Sequence, residues 1–93
     1  MNKIDALRKE IDSLNEDIIA LFAKRLEVAR NIAREKKKSN LPVLDETREA
    51  KQLELIRAMA QKHGLSPQIM GEIFDLFVEY SRMEMKLEIN KEG

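Results

Sequence analysis

Apolar residues in the first third of the chain recur with a strict heptad spacing. They are Ile4, Leu7, Ile11, Leu14, Ile18, Leu21, Val28 and Ile32. This spacing places them on one face of a single long helix, and we call this set of residues the heptad seam. The helix is predicted from about residue 4 to about residue 37, which corresponds to about 50 Å at 1.5 Å per residue. A compact domain of this size is narrower than that, so the seam needs a second copy of the chain or another chain to cover it.

Two shorter helices are predicted after a linker at residues 39–42, which ends in a proline. Asp45 is a good N-cap for the second helix, and the sequence KHG at residues 62–64 is a helix-stop signal. Ser66 as N-cap and Pro67 as first residue begin the third helix. No useful stretch alternates between apolar and polar residues as a half-buried strand does. We therefore predict an all-α fold of one long, one short and one medium helix, as a single domain of residues 1–93 in a homodimer.

The composition excludes several classes of partner. Lysine plus arginine and aspartate plus glutamate both total 17, so no net field attracts nucleic acid or an anionic membrane. The absence of cysteine removes disulfides, thiolate nucleophiles and cysteine-ligated metals. No apolar run is long enough to span a bilayer, and the start has no signal-peptide pattern. We expect a soluble cytoplasmic protein with neither a nucleic-acid nor a membrane partner.

One charged residue interrupts the heptad seam. Arg25 falls in the same heptad series as Ile18 and Ile32. Because a guanidinium keeps its proton, placing it in a packed seam is costly unless an anionic group meets it. That group is either a carboxylate of the protein or a bound ligand. A leucine at this position would be more stable if the helix served only as a coiled coil.

Two further cations are placed so that they could share an anionic ligand with Arg25. Lys36 follows close to three full turns later, so both side chains project on nearly the same side, with Cα atoms about 16 Å apart. Arg8 lies about 25 Å away along the same helix, but an antiparallel second copy could bring its Arg8 beside this Arg25. Simpler explanations stay open: a solvated lysine run at a helix end, and an exposed Arg8 paired with Asp5 or Asp12.

Groups suited to covalent or metal chemistry are scarce in this sequence. His63 is the one histidine and stands beside Gly64 at a helix end, where it is expected to cap carbonyls. No glycine-rich phosphate loop and no metal-ligand spacing occurs, and the serines lack a matched base. An enzyme with this sequence would therefore work by binding and electrostatics, with no cofactor and no metal.

An ordered set of short motifs resembles the all-helical chorismate mutase family. The motifs are LRKEID at 7–12, KR at 24–25, Lys36, PVLD at 42–45, RE at 48–49, IF at 73–74 and EYS at 79–81. Each motif alone is common in helices, but their order and spacing match over nearly the whole chain. The resemblance implies an intertwined homodimer whose long first helices cross between protomers, with two equivalent active sites.

The resemblance also implies a reaction, the rearrangement of chorismate to prephenate in the shikimate pathway toward phenylalanine and tyrosine. This unimolecular pericyclic step needs no nucleophile, proton donor or cofactor. Catalysis then consists of holding the reactive diaxial conformer and stabilising the charge that develops on the breaking ether oxygen. The substrate is a small dianion, so it needs cations in the site.

Transferred residue by residue, the resemblance assigns three cations to the charged groups of the substrate. Arg25 and the partner's Arg8 would hold the two carboxylates, a task for which the bidentate guanidinium is suited. Lys36 would donate to the ether oxygen and to a neighbouring carboxylate.

The resemblance assigns the remaining polar contacts to four residues. Glu49 would accept a hydrogen bond from the ring hydroxyl, with Asp45 alongside it. Arg48 would shape the pocket wall and reach a carboxylate through its backbone or a water molecule. Ser81 would add a hydrogen bond at a carboxylate. For Asp45 the capping role stays equally open, and for Ser81 a solvent-facing or core hydroxyl does.

The sequence departs from the family pattern at one position. The family usually places Gln or Glu one turn after the Ser81 position, as a second donor to the ether oxygen, and here that residue is Met85. A thioether cannot donate a hydrogen bond. Glu84 is adjacent but rotated by about 100° around the helix, so it is not an obvious substitute. The departure predicts reduced activity with the fold and the class of ligand unchanged.

Two other functions fit the same residues. An isochorismate pyruvate lyase would use the same helical scaffold and a similar set of cations, and turnover of isochorismate against chorismate separates the two activities. A non-catalytic dimeric helical module, which binds a shikimate-pathway anion or a partner enzyme, is favoured by Met85. The sequence is compatible with a free-standing protein and with one part of a fusion.

Overall fold

A computed structural model describes residues 2–91, which form three helices. The helices are α1 (Lys3–Lys38), α2 (Glu46–Lys62) and α3 (Pro67–Ile89). No strand occurs among the described residues. The predicted all-α fold with one long, one short and one medium helix is therefore confirmed, with helix ends close to those expected.

The predicted helix starts and stops are also found. Asp45 caps α2 because its Oδ1 accepts a hydrogen bond from the backbone N–H of Arg48 at 3.0 Å. Ser66 caps α3 in the same way, with its Oγ accepting from the N–H of Ile69 at 3.2 Å. After α2 the chain turns at Gly64, whose φ of 73° lies in the left-handed region that glycine adopts without strain.

The third helix holds the fold together. α3 packs against both α1 and α2, whereas α1 and α2 do not pack on each other within the described residues. Most residues buried at these contacts are small, which lets the helices approach closely: Leu26, Ala29 and Ala33 from α1, Ile56 and Ala60 from α2, and Gly71 and Ser81 from α3. At Gly71 an added Cβ would lie 3.2 Å from the Arg57 Nε of α2, which is a tight contact for a Cβ.

An aromatic cluster fastens α1 to α3 one turn before Arg25. The Phe22 and Phe77 ring centroids are 4.4 Å apart, and Tyr80 meets Phe22 edge-on at 5.4 Å. Phe74 extends the cluster along α3, at 5.0 Å from Phe77. Such tilted and edge-on pairs are favoured arrangements of aromatic rings, and they fix the side of α3 that faces Arg25.

The N-terminal half of the heptad seam is not covered within one chain. Residues 2–91 extend over 56 × 29 × 15 Å, and the first six seam residues, from Ile4 to Leu21, are each more than half exposed. The seam thus lies along a helix that its own chain is too short to cover, as the sequence predicted. No helix within residues 2–91 combines the length and apolar character that crossing a membrane requires.

Candidate active site

A cleft of about 290 Å³ lies where the second half of α1, the start of α2 and the end of α3 converge. Six of the seven residues that the resemblance assigned to the substrate line it, and Met85, which departs from the family pattern, lines it as well. They are Arg25, Lys36, Asp45, Arg48, Glu49, Ser81 and Met85. Residues that are far apart in sequence therefore share one cavity, in which a small ligand could touch several of them.

Arg25 enters the cleft from α1 and is half-buried. Its Nη1 donates a hydrogen bond to the Ser81 Oγ at 2.7 Å, and that hydroxyl in turn donates to the Phe77 carbonyl at 2.9 Å. Burial lowers the pKa of the Arg25 guanidinium, which nevertheless stays protonated because the pKa of arginine is so high. No carboxylate among residues 2–91 forms an ion pair with it. The first of the two explanations for this arginine, a carboxylate of the protein, is therefore not met within residues 2–91 of its own chain.

Lys36 lies at the other end of the same wall. Its Nζ donates to the Val43 carbonyl of the α1–α2 linker at 2.9 Å. An ammonium group has three donors, so this bond leaves two for a ligand. The predicted lysine run is thus divided, with Lys36 half-buried at the cleft and both Lys37 and Lys38 exposed.

Asp45 and Arg48 line the cleft but already bond to each other through the helix cap. The Asp45 carboxylate accepts from the Arg48 backbone N–H. The geometry therefore favours the capping role for Asp45 over direct ligand contact. It also engages the backbone N–H through which Arg48 was expected to reach a carboxylate, and leaves the guanidinium as the free donor of Arg48.

Glu49 reaches the cleft from the first turn of α2, where it forms an ion pair with Arg82 of α3. Arg82 and Gln52 are two cleft residues outside the sequence motifs, and Gln52 lies one turn after Glu49. Helical spacing could have indicated Gln52, since residues three apart share a face. No local signal indicates Arg82, because its partner is on another helix.

Met85 lines the cleft with its thioether where the family pattern has a hydrogen-bond donor. Glu84 does not take over this role, because its Oε2 pairs with the Arg30 Nη2 of α1 at 3.3 Å and Glu84 does not line the cleft. The rotation by about 100° predicted from the sequence agrees with this placement.

Arg8 is the one predicted site residue that its own chain does not bring to the cleft. Its side chain is 74% exposed, and its nearest carboxylate is that of Asp5, with 3.8 Å between Nη1 and Oδ1. A single chain therefore supplies only one of the two arginines that the resemblance assigned to the carboxylates of the substrate.

The charges that line the cleft are unbalanced. Four cationic side chains (Arg25, Lys36, Arg48 and Arg82) face two carboxylates, Asp45 and Glu49, and both carboxylates already have partners. Two positive charges are left in excess, which suits a small dianion. Within residues 2–91 no three histidine, cysteine or acidic side chains are grouped so that they could hold a metal ion.

Comparison with known proteins agrees with this geometry. The family model described as chorismate mutase type II matches residues 7–86. The chain belongs to this family. The resemblance seen in the sequence motifs is thereby confirmed, and the cleft lies entirely within the part of the chain that matches the chorismate mutase model.

Individual relatives differ in how much of their own length this chain matches. It is 33% identical over 90 residues to the bifunctional chorismate mutase/prephenate dehydratase of Buchnera aphidicola subsp. Schizaphis graminum, and 36% identical over 81 residues to the T-protein of Haemophilus influenzae. These matches cover 97% and 87% of this chain but only 23% and 22% of those relatives. The chorismate mutase of Methanocaldococcus jannaschii is 28% identical over 86 residues, which are 92% of this chain and 87% of that protein.

Proposed function

We propose that this protein is a chorismate mutase, an isomerase that converts chorismate to prephenate. The observation that carries the proposal is the half-buried Arg25, which faces the cleft with no carboxylate partner among the described residues and with Lys36 on the same wall. The excess of two positive charges in the cleft matches the two carboxylates of chorismate. Family membership adds the class of reaction.

In the proposed reaction, one carbon–oxygen ether bond breaks while one carbon–carbon bond forms within the same molecule. Arg25 binds one carboxylate of the substrate and, with the partner's Arg8, holds the diaxial conformer in which the two reacting carbons are close. Lys36 donates to the ether oxygen, where negative charge grows as the bond breaks. Glu49 accepts from the ring hydroxyl, and Ser81 supports Arg25 through the hydrogen bond that the two already share.

We further propose that the active protein is an intertwined homodimer. The exposed first six residues of the heptad seam support this, since a soluble monomer rarely exposes so long an apolar face. Burying the exposed half of six aliphatic side chains in each of two copies contributes on the order of 10 kcal/mol before the cost of association. The same antiparallel crossing would bring the partner's Arg8 to the cleft, where the resemblance assigns it to a carboxylate of the substrate.

The test is conversion of chorismate by the purified chain, with the product identified by chromatography and the mass of the protein measured by sedimentation. We expect prephenate, a dimer, and a loss of about 10²–10³-fold in kcat/KM for Arg25→Ala, as for other preorganised charged donors. Arg30→Ala is the matched control, because Arg30 is also on α1 but pairs with Glu27 and Glu84 outside the cleft. It should retain the activity of the parent.

Three results would contradict the proposal. Release of pyruvate from isochorismate without prephenate from chorismate would establish the lyase activity instead. Binding of prephenate without turnover of chorismate would indicate a binding module. Full activity in Arg25→Ala would remove the role assigned to the seam arginine, and circular dichroism would first establish that this variant is folded.

A further inference from the structure

Two consecutive residues of α3 each hold a side chain from a different helix. Ser81 accepts a hydrogen bond from Arg25 of α1, and Arg82 donates through its Nη2 to the Glu49 Oε1 of α2. Successive residues on a helix are rotated by about 100°, so a helix that packs between two others can reach both with adjacent residues. One turn of α3 thereby fixes a cation and an anion of the proposed site.

Packing alone does not account for an arginine at position 82. Its Nε is buried without a hydrogen-bond partner within the described residues, and a leucine would avoid leaving that donor unsatisfied. The ion pair with Glu49 is partly exposed, with 36% of the Arg82 side chain and 26% of the Glu49 side chain accessible. A partly exposed pair contributes less to stability than an unpaired buried donor costs. A purely structural role as a cross-link between α2 and α3 therefore does not explain an arginine at this position.

The ion pair does have a clear effect on the geometry of Glu49. A glutamate side chain has three rotatable bonds, and ordering it when a ligand binds lowers affinity. Arg82 orders it in advance by holding one oxygen, Oε1. The structure gives no hydrogen bond from a described residue to the other oxygen, Oε2, which is left to accept one from a ligand.

We propose that Arg82 is a positioning residue, which holds the Glu49 carboxylate so that its second oxygen accepts the hydrogen bond of the substrate's ring hydroxyl. This inference rests on the proposed function, in which Glu49 receives that hydroxyl. Arg82 acts through Glu49 and does not itself touch the reacting atoms. The loss of this ordering should lower kcat/KM about tenfold and act mainly through KM, since the hydroxyl is bound equally before and during the bond rearrangement.

The experiment is a double-mutant cycle with Arg82→Leu, Glu49→Gln and the variant that combines both, measured as kcat/KM with chorismate. We expect Arg82→Leu to lose about tenfold in the parent background and less than about twofold in the Glu49→Gln background. Arg82→Lys keeps a donor but not the planar fork, so it should recover part of the loss. With a chorismate analogue that lacks the ring hydroxyl, Arg82→Leu should have a smaller effect on kcat/KM than with chorismate, because only the loss of one positive charge from the cleft remains.

A control separates positioning from stability. Arg30→Leu removes a comparable partly exposed pair, between Arg30 and Glu84, that joins α1 to α3 outside the cleft. It should leave kcat/KM unchanged, whatever its effect on the unfolding midpoint, whereas Arg82→Leu lowers kcat/KM. If Arg82→Leu also alters only the unfolding midpoint, then Arg82 is structural and the inference is wrong.

The remaining outcomes distinguish this inference from the proposed function. An equal loss on Arg82→Leu in both backgrounds, or with the analogue that lacks the hydroxyl, means that Arg82 contacts the substrate directly and overturns the positioning role alone. If the parent binds prephenate but does not turn over chorismate, the double-mutant cycle is measured as the Kd of prephenate by calorimetry. Arg82→Leu should then raise that Kd about tenfold in the parent background. A parent that does neither refutes the proposed function, and the inference with it.

Discussion

Replacing Met85 by glutamine should increase the rate of the proposed reaction. Met85 lines the cleft one helical turn after Ser81 and offers no donor there. Glutamine has nearly the same length and volume, and the position is only half-buried, so the change needs little repacking. The new amide N–H would face the cleft, which Lys36 also lines, and could donate to the ether oxygen of the substrate there.

The size of the gain follows from what one such donor contributes. Removing a preorganised donor to a developing negative charge costs about 10²–10³ in rate, which corresponds to about 2.7–4 kcal/mol. The gain should fall below that value, because the introduced glutamine has three rotatable bonds and ordering it costs free energy. We therefore expect at least a tenfold gain in kcat, or about 1.4 kcal/mol of transition-state stabilisation, with KM changed by less than about threefold.

The assay is the initial rate of chorismate disappearance at saturating substrate, for the parent, Met85→Gln and Met85→Leu. The leucine variant is the matched control, because it keeps the size and apolar character of the side chain without a donor. It should have the kcat of the parent. A glutamine variant no faster than the leucine variant, with both folded and dimeric, would refute the reasoning. It would mean that the cleft already supplies the donor from another residue, for which Gln52, which also lines the cleft, is a candidate.

Three further predictions concern the dimer, the cap of α2 and the acid stability. Ile11→Glu should weaken the proposed dimer about 100-fold or more in sedimentation and lower activity by removing the partner's Arg8 from the cleft. Ser13→Glu, on the polar side of α1, should do neither. Asp45→Ala should lower the free energy of unfolding by about 1 kcal/mol, whereas Asp45→Asn should keep both stability and activity. An Asn variant that is equally stable but tenfold slower would instead assign the carboxylate to the substrate. Hydrogen bonds from Lys91 and Arg34 lower the pKa of Glu88, so its contribution to stability is present above the ordinary glutamate pKa and is lost as the pH falls through the lowered value. Between pH 7 and pH 3, denaturant unfolding should therefore show a smaller decrease in the free energy of unfolding for Glu88→Gln than for the parent. Equal decreases would contradict this assignment.

The features that the sequence determined by itself are those whose cause is local. The heptad spacing set the long helix and its uncovered apolar face, and the residue types at Asp45, Ser66 and Gly64 set where helices begin and end. Each depends on backbone conformation and on groups within about one turn, so a single stretch of chain contains all the information. Arg25 could be recognised in the same way, because a charged residue at an apolar heptad position is evident from the spacing alone.

The resemblance of the motifs to a known family added two things that local spacing does not give: the family itself and a list of candidate site residues. It could not decide between the two roles of Asp45, since both need the same residue at the same position. The structure favours the cap because the Asp45 carboxylate meets the Arg48 amide. The resemblance also could not indicate Arg82, since this residue is not among the matching motifs and its role depends on its ion pair with Glu49 of another helix.

Only the tertiary structure decided which side chains of different helices meet. The pairing of Ser81 with Arg25 and of Arg82 with Glu49 depends on the rotation and register of α3 between α1 and α2. That register is set by the aromatic cluster of Phe22, Phe77 and Tyr80 and by small buried residues such as Gly71, which are contacts between distant parts of the chain. Helical periodicity determines the face on which a residue lies, but the packing of one helix on another determines what that face touches.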